Sequence, residues 1–308
     1  MVKQAVAIIL INYNSSTDTL ECVKSIEAHT SPDFDYEMVV VDNNSAIDDF
    51  KKIEHLDSHP KIKLIRSKKN LGFGGGHMFG LQFTHADYVL FLNNDCLFLN
   101  DVLPKMHAFM QQHPDCGIAT AQMHDTDGNW KRCFNYFQTI WIKIFGYKLF
   151  QKLWPQKFPS RNKVYTSPLK VDYVMGAFIF VDSKKFAEIG GFDTNLFLYF
   201  EEEDISLRMR KLDYSTYLVP QAQYLHHHEH SSPKDRSIII RELSISQAYL
   251  FRKHYSLIEN IVFRLFYFVK YFFKGFSKSW YFNMAFFVLR GAPSKKSLFH
   301  LQKWAVDE

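Results

Sequence analysis

The chain has 308 residues, 47% of them hydrophobic and 22% charged, with a formal net charge of +5. That is the composition of an ordinary globular protein, with room for one large domain or one domain plus an appendage. The positive charge sits at one end: Arg252 to Glu308 holds 10 Lys and Arg against 3 acids, which leaves residues 1–251 at −2.

Four cysteines, Cys22, Cys96, Cys116 and Cys133, lie far apart with no CxxC pair. This argues against a zinc ribbon or a disulfide framework and makes a reducing cytosol the default setting. The opening "MVKQAVAIILINYN" has an apolar core too short for a secretory signal and no small-residue cleavage site after it. It reads as a first strand that ends at Asn14-Ser15-Ser16, with a helix "TDTLECVKSIEAH" behind it. "YEMVVVDNNS" is a second strand and "IKLIRS" a short third. "NLGFGGGHMFGLQFTHA" reads as a glycine loop running into a helix, and "DYVLFLNND" as the next strand. Apolar strands alternating with helices predict a mostly parallel sheet covered on both faces.

Three of these strands end in "NYN", "DNN" and "NND". Ligands of open α/β sheets bind beyond the carboxyl ends of the strands. Asn and Asp are ordinary turn formers, but three such endings at one edge point to a ligand site. Asn12, Asn14, Asp42, Asn93, Asn94 and Asp95 are therefore candidate site residues.

The ordered blocks "INYNS", "VVVDNNS", "NLGFGGGHMFGL", "LFLNNDC", "VMGAFIFVDSKKFAEIGGFD", "YFEEEDISLRMRK" and "HHHEHS" resemble the family 2 glycosyltransferases, and within them the rhamnosyltransferase-like branch. The resemblance runs from about Val6 to Ser231. It implies a GT-A nucleotide-diphospho-sugar transferase fold over residues 1–250; the charge and aromatic content of 251–308 read as a basic, aromatic, helical tail. It also implies a nucleotide-sugar donor carrying dTDP or UDP, with dTDP-rhamnose favoured. Asp42 can accept a hydrogen bond from the imide N–H of a pyrimidine, which matches its implied role. Its alternative is a helix N-cap.

The glycine run does not fit GxGxxG, and no GxxxxGK[ST] is present. Gly72, Gly74, Gly75 and Gly76, after Asn70, are instead expected to let the backbone approach the donor closely. An Asn common in the family after this loop is replaced by Met78. "NND" stands where the family carries Asp-x-Asp, so Asp95 is the expected ligand of Mg²⁺ or Mn²⁺, with Asn93 supporting. The register of the resemblance pairs His226 with Ser231 and makes His226 the diphosphate or metal-binding histidine; His228 is the second choice. Gly176 and Ala177 are expected on the acceptor side.

In "FEEEDISLRMRK" an acidic helix start suits the helix dipole, and Asp204 and Arg208, four apart, can pair along one face. An inverting transfer needs one carboxylate to take the acceptor's proton. The family motif places that base at Glu202, with Glu201 as the alternative.

In the tail, charges break each apolar run well short of the ~20 residues of a spanning helix. Lys270, Lys274 and Lys278 recur every four residues, so one basic face is expected to meet anionic lipid. The alternative is a helical pair packed on the catalytic domain. The expected setting is the inner face of the plasma membrane, peripheral and cytoplasmic. The expected acceptor is a glycan or lipid-linked saccharide in surface polysaccharide assembly, with a homodimer as a further candidate and no nucleic acid. The rival readings are a nucleic-acid-binding protein using the tail and a non-catalytic sugar-binding module. A processive synthase is disfavoured by the absence of QxxRW and of membrane spans, and a nucleotidyltransferase by "NYNSS" after the first strand.

Overall fold

The computed structural model describes residues 4–227 and 236–304. The strands are β1 (Gln4–Asn12), β2 (Tyr36–Asp42), β3 (Ile62–Arg66), β4 (Ala86–Asn93), β5 (Cys96–Phe98), β6 (Cys116–His124), β7 (Phe134–Asn135), β8 (Leu169–Val171), β9 (Tyr173–Val174), β10 (Phe178–Asp182) and β11 (Ser215–His226). The α-helices are α1 (Ser16–Ala28), α2 (Ile47–Ile53), α3 (Gly72–Leu81), α4 (Val102–Gln112), α5 (Ile140–Phe145), α6 (Tyr147–Leu153), α7 (Ser183–Glu188), α8 (Glu201–Lys211), α9 (Arg236–His254), α10 (Leu257–Gly275) and α11 (Trp280–Leu289).

The main sheet has the order β3-β2-β1-β4-β10-β6-β11-β5, with β8 also paired to β11. Its first half is parallel, as the apolar strands predict: β1 lies between β2 and β4, with Asn12 opposite Asp42 and Ile11 opposite Asn93. The other half is mixed, because β10 runs antiparallel to both β4 and β6. Alternate residues of β1 feed opposite faces. Val6, Ile8 and Leu10 join one core with α1 and α4, while Ala7 and Ile9 join another with residues of α3, α7 and α8. That two-sided burial is why these strands are apolar throughout. It also aligns the carboxyl ends of β1, β2 and β4 along one edge.

The expected boundary between residues 250 and 251 falls inside α9. Ile245, Ala248 and Phe251 of α9 share a core with Phe263, Tyr267 and Tyr271 of α10 and with Tyr281, Met284, Ala285 and Val288 of α11. Ile140 of α5 joins them. The helical tail is thus built onto α9, whose end is tied to α8 through Asp204: Lys253 and His254 lie 2.8 and 2.7 Å from its carboxylate.

α10 starts at a capping box formed by Ser256 and Glu259. It buries Asn260, Phe263, Tyr267, Tyr271 and Gly275 on one side. On the other side Leu257, Ile258, Ile261, Leu265, Val269, Phe273 and Phe276 are exposed, the last two at 68% and 74%. The expected basic face is therefore an apolar ridge: Lys270 and Lys274 hold their ammonium groups over the rings of Tyr267 and Tyr281, residues of the buried side, and Lys278 lies beyond the helix end. Among the described residues no helix is long and apolar enough to cross a membrane.

Candidate active site

A cavity of about 490 Å³ opens where β1, β2 and β4 end. Ser15, Asn43, Asn93 and Asn94 line it at the strand exits, Asn70, Gly72, Phe73 and His77 along α3, and Gly176 and Ala177 before β10. Glu201 and Glu202 close it from α8. Leu298 and Gln302 complete the wall from the C-terminal side. They arrive there because Glu242 of α9 accepts hydrogen bonds from the Ser297 hydroxyl (2.6 Å) and the Leu298 N–H (2.8 Å).

Several residues expected on the cavity wall instead build its frame. Asn12 is fully buried: its amide donates to Asp42 (2.9 Å), Ser45 (3.1 Å) and Asp49 (3.1 Å), and its oxygen accepts from Thr19 (2.9 Å). Asp42 is equally buried. Its oxygens accept from Asn12 and from the Ser45 N–H, and Arg66 lies 3.2 Å away. Asp42, expected to meet a pyrimidine directly, is thus enclosed in the frame and does not line the cavity. Asn14, in a left-handed conformation at φ 53, receives the Ala46 N–H at 2.8 Å. It shapes the β1–α1 turn and does not line the cavity, whereas its neighbours Tyr13 and Ser15 do.

The glycine run is also corrected: it is not a loop but the first turns of α3. Gly72, at φ 74, does line the cavity, and a side chain there would collide with the Phe197 carbonyl. Gly74, Gly75 and Gly76 serve packing instead. A Cβ on Gly74 would sit 3.1 Å from the Phe192 Cβ, one on Gly75 3.1 Å from the Leu71 Cβ, and one on Gly76 2.8 Å from the Ile11 Cδ1. These glycines let α3 lie close to the sheet and to the approach of α8. Asn43 fixes the start of the helix: its amide donates to Asn70 and to the Gly72 carbonyl, both at 3.1 Å. Met78 points away, toward Gly191 and the Phe192 N–H.

Asp95 and His226 meet as expected, although neither lines the cavity described. β5 and β11 pair in a register that sets His226 opposite Cys96, and His226 Nε2 lies 3.1 Å from Asp95 Oδ1. Ligand atoms of Asp95, Cys96 and His226 all lie within 4.8 Å of one another. A carboxylate oxygen and an imidazole fit Mn²⁺ or Mg²⁺ that takes its other ligands from a diphosphate and water. The Cys96 thiol does not suit such a hard ion, since burial holds it well above its ordinary pKa, in the neutral form. His228 and Ser231 lie outside the described residues.

The acidic run divides by role. Glu202 lines the cavity, and burial raises its carboxyl to about 7. Glu201, buried beside it, is raised well above the ordinary range, first by burial and then by the Glu202 charge. Glu203 turns inward to accept the Gln138 N–H at 2.6 Å. Asp204 pairs with Arg208 at 2.5 Å, as its spacing predicts. Burial works to raise the Asp204 carboxyl, but the bond from His254 and the charges of Arg208 and Lys253 outweigh it and hold it below its usual value. Just before this helix, Tyr199 and Phe200 both have positive φ, at 74 and 73. Two adjacent aromatic residues in that region store strain, and strain of this kind collects at functional sites.

Sequence reasoning missed Tyr13, Ser15, Asn43, Phe73, His77, Phe197, Tyr199, Leu298 and Gln302 on the wall. Asn43 was within reach of the same signal as Asp42, a polar side chain at a strand exit. Leu298 and Gln302 carry no local signal, because only the return of the tail brings them there.

A sheet of this order, with an acid-tipped strand at its centre and an acidic helix over the exits, defines a GT-A glycosyltransferase framework. The model of the glycosyl transferase family 2 matches residues 7–184, more than half of the chain, and the chain belongs to that family. It is 23% identical over 192 residues to the N-acetylglucosaminyl-diphospho-decaprenol L-rhamnosyltransferase of Mycobacterium tuberculosis. That match covers 58% of this chain and 62% of the relative, so it spans under two thirds of the mycobacterial protein. It is 22% identical to the rhamnosyltransferase WbbL of Escherichia coli over 238 residues, covering 75% of this chain and 88% of WbbL. Among solved structures, GalNAc-T7 with UDP, GalNAc and Mn²⁺ matches at a TM-score of 0.58 and 14% identity, over 81% of this chain and 50% of that one. The mannosyltransferase PcManGT from Pyrobaculum calidifontis with GDP-Man and Mn²⁺ matches at 0.56 and 15%, over 97% and 77%. These likenesses establish the fold.

Proposed function

We propose that this protein is an inverting glycosyltransferase that moves a sugar, with rhamnose favoured, from a dTDP- or UDP-sugar to a hydroxyl of a glycan or lipid-linked saccharide in surface polysaccharide assembly. The observation that carries this reading is Glu202, a carboxyl poised near neutrality on the wall of a cavity at the strand exits. As a carboxylate, Glu202 accepts the proton of the attacking hydroxyl. The new bond to the anomeric carbon then forms as the bond to the diphosphate breaks on the opposite face. Gly176 leaves room for this approach: a Cβ there would come within 4.0 Å of Glu202 Oε2 and 3.8 Å of the Phe73 ring. Asp95 and His226 would hold a divalent cation, which supplies charge neutralisation for the departing diphosphate.

With Asp42 enclosed, the pyrimidine preference rests on UDP in structural neighbours such as GalNAc-T7; GDP-Man in PcManGT is the counterexample. The rhamnosyl preference rests on the two rhamnosyltransferase relatives. For the tail, the proposed occupant of the α10 ridge is an anionic lipid surface on the cytoplasmic side. The exposed apolar side chains of the ridge suit a lipid interface, and the basic excess of residues 252–308 complements anionic headgroups and opposes self-association.

The test is a panel of dTDP-, UDP-, GDP- and ADP-sugars scored by nucleoside diphosphate release with a saccharide acceptor, with and without EDTA. Release from dTDP-rhamnose or a UDP-sugar that stops in EDTA is expected. Preference for a GDP-sugar, or full activity in EDTA, would overturn the donor or the metal assignment respectively.

A further inference from the structure

His77 lies on α3 at the floor of the cavity, only 1% exposed, and neither ring nitrogen has a hydrogen-bond partner among the described residues. Its surroundings explain why. Phe73 stands edge-on at 4.5 Å, Phe91 of β4 at 5.0 Å, and Phe192 tilted at 6.0 Å. A buried imidazole with no partner is costly, and an apolar side chain of similar shape would fill the same space without that cost. The position is therefore explained if a partner arrives through the cavity.

A second group points the same way. Glu201 Oε1 is also buried without a partner among the described residues, and Glu201 lines the same cavity. A Cβ on Gly74, one turn before His77 on α3, would lie 3.6 Å from Glu201 Cγ, so α8 brings this carboxyl over the same side of the helix.

We propose that His77, with Glu201, binds a hydroxyl of the transferred sugar and so sets which sugar the enzyme accepts. This rests on the glycosyltransferase reading of the cavity. With the diphosphate at the exits marked by Asn93 and Asn94 and the acceptor hydroxyl at Glu202, the sugar ring must occupy the space between them, above the floor where His77 sits. Burial drives the imidazole down to about 3, so His77 is neutral at ordinary pH, and burial raises the Glu201 carboxyl above its ordinary value. A neutral imidazole ringed by phenylalanine, with a buried carboxyl beside it, suits the hydroxyls and C–H faces of an uncharged hexose or deoxyhexose. It disfavours a uronic acid, whose carboxylate would be desolvated with no cation to meet it. His77 is thus a binding and specificity residue, while proton transfer stays with Glu202.

The experiment is calorimetry on the full chain with dTDP and dTDP-rhamnose, and with UDP and UDP-glucose, alongside thermal melting. The variants are His77→Phe and His77→Gln. For the pair that the wild type binds, His77→Phe is expected to weaken the nucleotide sugar ~10-fold, the size of one hydrogen bond. The free nucleoside diphosphate should stay within about twofold by the same scale, and Tm should hold or rise. His77→Gln keeps an N–H and should recover part of the loss. If His77→Phe shifts sugar and diphosphate alike, leaves both unchanged, or raises only the acceptor KM, the inference fails while the function stands. If both variants melt early with sugar affinity intact, or fail to fold, His77 is structural and the inference fails too. If the wild type binds no nucleoside diphosphate, the glycosyltransferase reading falls, and this one with it.

Discussion

Two regions of this protein invert the ordinary rule of burial, in opposite senses. At the exits of β1, β2 and β4, polar Asn12, Asp42, Asn94 and Asp95 are buried. Along α10, apolar Leu257, Ile258, Leu265, Phe273 and Phe276 are exposed. The first inversion is answered largely inside the chain: Asn12 alone joins Asp42, Ser45, Asp49 and Thr19. Such a network rigidifies the edge on which chemistry depends. The second inversion has nothing of the chain over it among the described residues. Where a network closes on itself the residues are frame; at His77, whose ring nitrogens have no partner among the described residues, and along the exposed α10 ridge the chain leaves groups unanswered.

The largest expected effect lies at the buried polar edge. Asp95→Ala should cut turnover by orders of magnitude, because stabilising the departing diphosphate is worth several kcal/mol. Nucleoside diphosphate release at saturating donor measures it; a loss below tenfold would remove Asp95 from the chemistry.

Next comes the cavity wall. Glu202→Gln keeps the shape but cannot take a proton, so turnover should fall ~10²–10⁴-fold with diphosphate affinity unchanged. The wild-type rate should climb as pH rises through about 7, since burial raises the Glu202 carboxyl and only its ionised form is a base. That inflection should vanish in the variant. Should Glu201→Gln abolish transfer while Glu202→Gln spares it, the base is Glu201.

Asp204 belongs wholly to the frame. Asp204→Asn should cost about 3–5 kcal/mol of stability, as expected when one partner of a buried ion pair is removed. The folded carboxyl lies below its unfolded value, so the wild-type advantage is present above the ordinary Asp range and is lost as pH falls from there through the lower folded value. Chemical denaturation across that range should therefore show the two proteins converging in acid. A constant gap would deny the role of the Arg208, Lys253 and His254 contacts.

The smallest effect concerns the ridge. Phe273→Ser with Phe276→Ser should lower flotation with phosphatidylglycerol vesicles several-fold while Tm is unchanged, because both rings are already exposed. Retained flotation, or a concentration-dependent dimer that the double variant abolishes, would replace lipid by another occupant.

The legible part of the molecule was its periodicity. Apolar β1, β2 and β4 announced a parallel core, their polar ends announced the site edge, and the four-residue spacing of Asp204 and Arg208 announced a pair that the structure makes. The enclosure of Asp42 was not legible, because it depends on Asn12, Ser45 and Arg66 arriving from separate segments. The glycines misled for a related reason: helix packing and ligand approach both select a missing side chain, and only the neighbours of Gly74 and Gly76 separate the two. His77 was hidden within that same run. On α10 the lysine spacing was visible, but which of its apolar sides is covered depends on α9 and α11.

The cavity is made of parts with different origins in the chain. Its floor and strand exits lie within residues 7–184, the segment that carries the family pattern, while Leu298 and Gln302 form part of its lip from well outside that segment. Glu242 holds the lip through two hydrogen bonds, and Phe299 adds contacts with Phe197 and Lys69. Parts of separate origin can change separately. A descendant could exchange what is admitted at the mouth by altering a few residues after Pro293, while the apparatus that reacts beneath it stays as it was inherited.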